Sequence, residues 1–145
     1  MALVVVIPVC SDDEDLCYAT QSLAHHFGGK HPFSCLLVTA QDRPLANAER
    51  LIALLENTYT GVSRLLIPDR GAKRPWPIPQ NQMFAAVARY FRSDLSTVYK
   101  SFFYMEPDVW PLRANWLQDL YQSHVSSGCH HTGAVVGMPW DAKLY

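Results

Sequence analysis

The chain has 145 residues, of which 49% are hydrophobic and 17% charged, and this balance predicts one globular domain over residues 1–145 with a substantial core. The formal net charge is -1, from 12 Lys and Arg against 13 Asp and Glu, so the chain lacks the basic surplus typical of non-specific nucleic-acid binding. No apolar run approaches the roughly 18 residues of a membrane span, and the apolar first residues lack the basic region of a signal peptide.

Strands and helices alternate along the first half of the chain. The β-branched run over residues 2–9 predicts a strand buried on both faces. The acidic cluster that follows suits the positive start of a helix over residues 14–27, whose inward face is expected to carry Leu16, Ala19, Thr20, Leu23 and Phe27. A second strand is predicted at 33–40, a helix opened by Pro44 at 45–57, and a third strand at 62–69.

The second half begins with a loop rich in proline and basic residues. A helix is predicted at 80–94, a fourth strand at 101–105, a helix at 113–127 and a fifth strand at 133–140. This order favours an α/β fold, a mainly parallel sheet with helices on both faces.

Polar side chains follow most of the predicted strands. Ligands bind at the carboxyl ends of the strands in such sheets, so these residues are candidates for a site. They are Ser11, Asp12, Asp42, Asp69, Glu106 and Asp108.

Two of these carboxylates, Glu106 and Asp108, flank Pro107 directly after an apolar strand. In an extended segment, residues i and i+2 point to the same side, so both carboxylates are expected to face one point. Mg²⁺ or Mn²⁺ is the natural occupant, because both ions take oxygen ligands, and no adjacent His or Cys favours zinc. The alternative is a solvated turn in which Asp108 caps the following helix.

The four cysteines show no CxxC spacing, and Cys10, Cys17 and Cys35 lie in or beside apolar segments. This pattern favours buried thiols in a reducing compartment over disulfides or a zinc site. We therefore expect a cytoplasmic protein.

Four segments together resemble a family 2-like nucleotide-sugar glycosyltransferase of the GT-A fold, which is Rossmann-like. They are the first strand "VVVIPV", the helix "PIPQNQMFAAVARYF", the acid-x-acid motif "EPD" and the segment "VWPLRANWLQDL". The usual motif of that family is Asp-x-Asp, so Glu106 is a departure in its first member, whereas Asp108 matches the usual metal ligand.

The resemblance implies a metal-dependent transfer of a sugar from a nucleotide-diphosphate sugar to an acceptor. Asp108 and Glu106 would be the catalytic, Mn²⁺- or Mg²⁺-binding residues. The donor would be bound by Pro8, Val9 and Cys10 at the base, by Asp42 at its polar edge, by Lys73 and Arg74 at the diphosphate, and by Asn81. The structural alternatives are a turn cap for Asp42, solvated loop charges for Lys73 and Arg74, and a polar helix start for Asn81.

Enzymes of this family continue into an acceptor-binding half, whereas only Asp141 among acidic residues follows the fifth predicted strand here. We therefore expect a donor-binding half whose acceptor half is short or absent, or is completed by a partner or oligomer. Two other functions remain as alternatives. One is a non-enzymatic α/β module that binds a nucleotide or a protein. The other is a nucleotidyltransferase, although the acidic "CSDDED" stands where such enzymes usually have a Gly-rich basic loop.

Overall fold

The computed structural model describes residues 3–68 and 78–129. Its strands are β1 (Leu3–Pro8), β2 (His31–Ala40), β3 (Tyr59–Ile67) and β4 (Ser101–Tyr104). Its helices are α1 (Glu14–Gly28), α2 (Ala48–Thr58), α3 (Ile78–Tyr90) and α4 (Trp116–Ser127), with a short 3-10 turn at Ser11–Asp13 before α1 and a π-helical turn at Phe91–Leu95 after α3. The predicted fifth strand, at 133–140, lies outside the described residues.

The four strands form one sheet in the order β3-β2-β1-β4, and every neighbouring pair is parallel. The chain builds outward from β1 through β2 to β3, and then returns to lay β4 against the other side of β1. The predicted α/β class and parallel sheet are therefore confirmed. The direction of strand addition reverses between β1 and β4.

Helices cover both faces of the sheet, which explains the uninterrupted apolar run of β1. Val5 and Ile7 belong to a core cluster with residues of α1, α2 and α4. Val4 and Val6 belong to a second cluster with Met83 of α3. Because successive side chains of a strand point to opposite faces, each face of β1 needs its own apolar residues.

The buried face of α1 differs from the predicted one. Leu16 is exposed, and the buried positions are Glu14, Cys17, Thr20, Gln21 and Ala24. Three of these are polar or charged and are hydrogen-bonded inside the protein. A pattern of apolar residues could not identify this face, because it includes polar side chains. Their burial costs little free energy only because they have hydrogen-bond partners elsewhere in the fold.

One of these residues, Glu14, also explains where α2 begins. Its carboxylate accepts hydrogen bonds from the backbone N–H groups of Ala46 and Asn47, each at 2.7 Å. The segment after Pro44 is thus held against α1, and the helix begins at Ala48 rather than at the predicted Leu45.

The buried thiols agree with the sequence prediction. Cys10, Cys17 and Cys35 are buried thiols that form no disulfide, whereas Cys129 is exposed. Burial, with the nearby charges of Asp13 and Glu14, raises the pKa of the Cys17 thiol to about 12, so this thiol stays protonated and unreactive at neutral pH. Within the described residues, no helix has both the length and the apolar character required to cross a membrane.

Candidate functional site

A cleft of about 340 Å³ opens at the carboxyl edge of the sheet, between the ends of β1 and β4. This is the point where the direction of strand addition reverses, and open α/β sheets bind their ligands at such a point. Its lining residues are Pro8, Val9, Cys10, Asp13, Leu16, Gln80, Asn81, Met83, Tyr104, Glu106, Pro107 and Asp108. Six of the residues predicted from the sequence are therefore brought together here.

The two carboxylates after β4 stand on a tight turn. The backbone N–H of Met105 donates to the carbonyl of Val6 at 2.8 Å, and the chain then turns, with the N–H of Val109 donating to the carbonyl of Glu106 at 3.1 Å. Pro107 occupies the second position of this turn, which its fixed φ favours. The expectation of an extended segment at this motif was wrong, but Glu106 and Asp108 both line the cleft and are exposed.

Asp108 does not cap the next helix. That helix, α4, begins at Trp116, and the residue before it, Asn115, takes a left-handed conformation with φ 60°. The helix-cap alternative for Asp108 is therefore wrong, and so is the predicted helix start at Arg113.

Two buried side chains of α1 form hydrogen bonds to this turn and to the residue before it. The hydroxyl of Thr20 donates to the carbonyl of Pro107 at 2.7 Å. The amide of Gln21 donates to Sδ of Met105 at 3.6 Å and accepts a hydrogen bond from the hydroxyl of Tyr59 at 2.8 Å. Neither contact could be predicted from the sequence, because nothing local links α1 to a turn so far along the chain.

The loop after β1 forms the opposite wall of the cleft. The N–H of Val9 donates to the carbonyl of Val38 at 2.9 Å, which ties this wall to β2. The thiol of Cys10 donates to a carboxylate oxygen of Asp13 at 3.1 Å. Asp13 thus lines the cleft together with the turn at residues 106–109, called the acidic turn below, although the sequence suggested only a helix-start charge.

The first turn of α3 supplies the third side of the cleft. Gln80 and Asn81 line it with amide groups, and the first turn carries no acidic residue. The first N–H groups of a helix lack intrahelical partners and carry partial positive charge, which suits an anion. Asn81 was predicted, whereas Gln80 was missed although it is the preceding residue.

Tyr104, the last residue of β4, was also missed. Its ring packs edge-on against that of Phe84, with centroids 5.2 Å apart. Burial, and then the nearby negative charge of Glu106, raise the pKa of the Tyr104 hydroxyl well above its usual value. It therefore stays protonated at neutral pH and keeps a hydrogen to donate.

The charged side chains that line the cleft are Asp13, Glu106 and Asp108, and no Lys or Arg of the described residues joins them. Such a site favours a cation. No group of three or more His, Cys, Asp or Glu side chains in the described ranges forms a metal cage. The carboxylates of the acidic turn suit Mg²⁺ or Mn²⁺, which is commonly held by one or two carboxylates with phosphate and water completing the shell.

Of the other predicted site residues, Asp42 is described by the structure and does not line the cleft. It is exposed in the turn after β2, at the same edge of the sheet. Beside it, Arg43 forms an exposed ion pair with Asp12 at 3.2 Å. Lys73 and Arg74 lie outside the described residues, as do Asp69 and Asp141.

Comparisons with protein-family models, with curated proteins and with solved structures found no match to this chain. Its function is therefore inferred from the chemistry of the cleft.

Proposed function

We propose that the protein is a metal-dependent glycosyltransferase, or the donor-binding part of one, that holds a nucleotide-diphosphate sugar in this cleft. One observation carries the proposal. The acidic turn after β4, the loop after β1 and the amide-bearing start of α3 line one cleft where the strand order reverses. This arrangement offers a cation site and an anion site side by side, as a metal–diphosphate requires.

The charges of the cleft explain why a metal is part of the proposal. Asp13, Glu106 and Asp108 would repel a bare diphosphate in a cleft of restricted volume. We assign Asp108 and Glu106 to hold Mn²⁺ or Mg²⁺, which supplies Lewis-acid stabilisation of the leaving diphosphate when bound. The start of α3 would then receive the phosphate oxygens.

The remaining walls would bind the nucleotide and the sugar. Pro8, Val9 and Cys10 offer an apolar wall for the base, and Asn81 offers an amide that donates and accepts hydrogen bonds. We keep Lys73 and Arg74, which precede α3 in the sequence, as proposed contacts of the diphosphate.

The acceptor would approach from the open side of the cleft, with a partner chain or a second copy completing its binding surface. Asp42 remains a proposed contact of the polar edge of the base. The buried thiols, which form no disulfide, fit a reducing, cytoplasmic compartment.

Thermal unfolding in the presence of candidate donors tests the proposal. The purified chain is heated with UDP-, GDP-, ADP- or CMP-sugars, each with Mn²⁺, with Mg²⁺ or with EDTA. A ligand at 100 times its Kd adds about 2.7 kcal/mol to the unfolding free energy, which is a readable shift. We expect one donor to raise the Tm only with a divalent ion.

Matched variants assign the effect to the acidic turn. Glu106→Gln and Asp108→Asn should abolish the metal-dependent shift, whereas Glu56→Gln, on the exposed surface of α2, should retain it. A donor that stabilises equally with EDTA would favour the non-enzymatic nucleotide-binding module. The absence of any shift with every donor and metal would contradict the proposed function.

A further inference from the structure

We propose that Thr20 and Gln21, two buried residues of α1, are positioning residues that set the orientation of the acidic turn. Neither touches the cleft. The part of this inference that concerns metal binding rests on the proposed function, whereas the part that concerns the geometry of the turn does not.

The hydrogen bond of Thr20 differs from those of other helical hydroxyls in the described part of the chain. The hydroxyls of Ser22 and Thr58 donate to carbonyls four residues earlier in their own helices, Tyr18 and Leu54. That local bond is the ordinary choice for a hydroxyl within a helix. Thr20, at 0% exposure, instead donates to a carbonyl outside its helix, 87 positions further along the chain.

The carbonyl that Thr20 holds belongs to the peptide unit that joins Pro107 to Asp108. A peptide unit is planar, so a hydrogen bond that holds its oxygen restrains rotation of the whole plane, from which Asp108 begins. The ring of Pro107 already fixes the φ angle on the other side of that residue. The hydrogen bond and the ring together leave the backbone between the two carboxylates little freedom.

Gln21 acts on the residue just before the turn. Its amide donates to Sδ of Met105, and its carbonyl oxygen is held by the hydroxyl of Tyr59. The sulfur is a weak acceptor, so we assign Gln21 a smaller contribution than Thr20 to the orientation of the turn. Both contacts come from one buried face of α1, which is why Thr20 and Gln21 are polar although Cys17 and Ala24 on the same face belong to the apolar core.

The test compares three isosteric or conservative changes. Thr20→Val removes the hydroxyl and keeps the shape, and Thr20→Ser restores a hydroxyl. Thr58→Val is the matched control, because Thr58 is also at 0% exposure and also donates to a backbone carbonyl at 2.7 Å, but on α2. Tyr59→Phe, which frees the oxygen of Gln21, serves if Thr20→Val does not fold.

Two readouts separate this inference from the proposed function. Amide hydrogen exchange at Val109, whose N–H closes the turn, reports the turn in the free protein and is taken relative to the core amide of Val5. Titration with Mn²⁺ in the presence of the stabilising donor reports the site. We expect Thr20→Val to speed exchange at Val109 and to weaken Mn²⁺ binding by about 10-fold, as loss of an outer-shell partner typically does.

Thr20→Ser should recover both properties, and Thr58→Val should change neither. Unchanged exchange at Val109 in Thr20→Val would overturn the inference, as would faster exchange with unchanged Mn²⁺ affinity. If exchange becomes faster but the unaltered protein binds no Mn²⁺ with any donor, the turn is positioned as inferred, and it is the proposed function that fails.

Discussion

At the scale of single residues, the protein buries polar side chains where an apolar core would be simpler. His31 at the start of β2 is an example. It is 0% exposed, its Nε2 lies 3.1 Å from the carbonyl oxygen of Ala24, and its ring packs against those of Tyr59 and Trp116. A methyl group added at Gly28 would lie 2.2 Å from Cε1 of His31, so the ring occupies the space beside that glycine.

This burial makes a prediction about the pH dependence of stability. Burial lowers the pKa of His31 below 6.5, and the charge of His25 acts in the same direction, although the hydrogen bond to the Ala24 carbonyl and the nearby side chain of Gln118 oppose the shift. As the pH falls, His31 is therefore protonated near pH 6.5 in the unfolded chain but only at a lower pH in the folded protein. The contribution of neutral His31 to the unfolding free energy is therefore fully present above pH 6.5 and declines as the pH falls below it. The total loss is about 1.4 kcal/mol for each unit by which the folded-state pKa is lowered.

Urea unfolding at about pH 7.5 and about pH 5.5 measures this effect. His31→Gln keeps an amide donor for the Ala24 carbonyl but cannot titrate, so it should lose less stability over this interval than the unaltered protein. His26→Gln, at an exposed position of α1, is the control and should behave like the unaltered protein. Equal losses in His31→Gln and the unaltered protein would show that His31 titrates normally in the fold.

At the scale of elements, Glu14 links the first turn of α1 to the approach of α2. Glu14 and Asp15 both lie in the first turn, where the helix dipole favours a negative charge. Only Glu14 is buried, and only its carboxylate accepts the two backbone N–H groups before α2. The acidic cluster was correctly predicted to precede a helix. That Glu14 also accepts hydrogen bonds from the N–H groups before α2 could not be predicted, because it depends on the packing of α1 beside α2.

Glu14→Gln should therefore lower the unfolding free energy by about 2 kcal/mol, because an amide has a single acceptor oxygen and turns its donor toward one of the two N–H groups. Asp15→Asn loses only the dipole interaction and should cost at most about 1 kcal/mol. Urea unfolding of both variants beside the unaltered protein isolates the two hydrogen bonds. Equal costs would show that the hydrogen bonds to Ala46 and Asn47 add nothing beyond the dipole.

At the scale of the whole molecule, the sequence predicted the order of the elements that the structure describes and half of the residues that line the cleft. The apolar run of β1 and the position of the acidic motif after β4 are local signals, so both could be found without the fold. Asp13, Gln80 and Tyr104 carry no local signal of a shared site, since they become neighbours only when β4 returns beside β1 and α3 packs on the sheet. The segment at Pro107 was predicted to be extended, whereas it forms a turn. Two contacts define this turn: the hydrogen bond from Thr20 and the one within residues 106–109. Neither can be read from the alternation of polar and apolar residues along the sequence.

The reversal of strand order predicts which backbone amides a bound ligand protects from hydrogen exchange. If a donor and Mn²⁺ bind at the junction of β1 and β4, amide hydrogen exchange should slow at residues 8–13, 80–83 and 104–109, which come together from three parts of the chain. The opposite edge of the sheet, where His31 pairs with Tyr59, should keep its exchange rates except for any uniform change in global stability. Exchange measured with donor plus Mn²⁺, and with donor plus EDTA, distinguishes these patterns. Slowing confined to one of the three segments, or centred on the opposite edge, would contradict a ligand site at the reversal point, because a molecule in the cleft must contact all three walls.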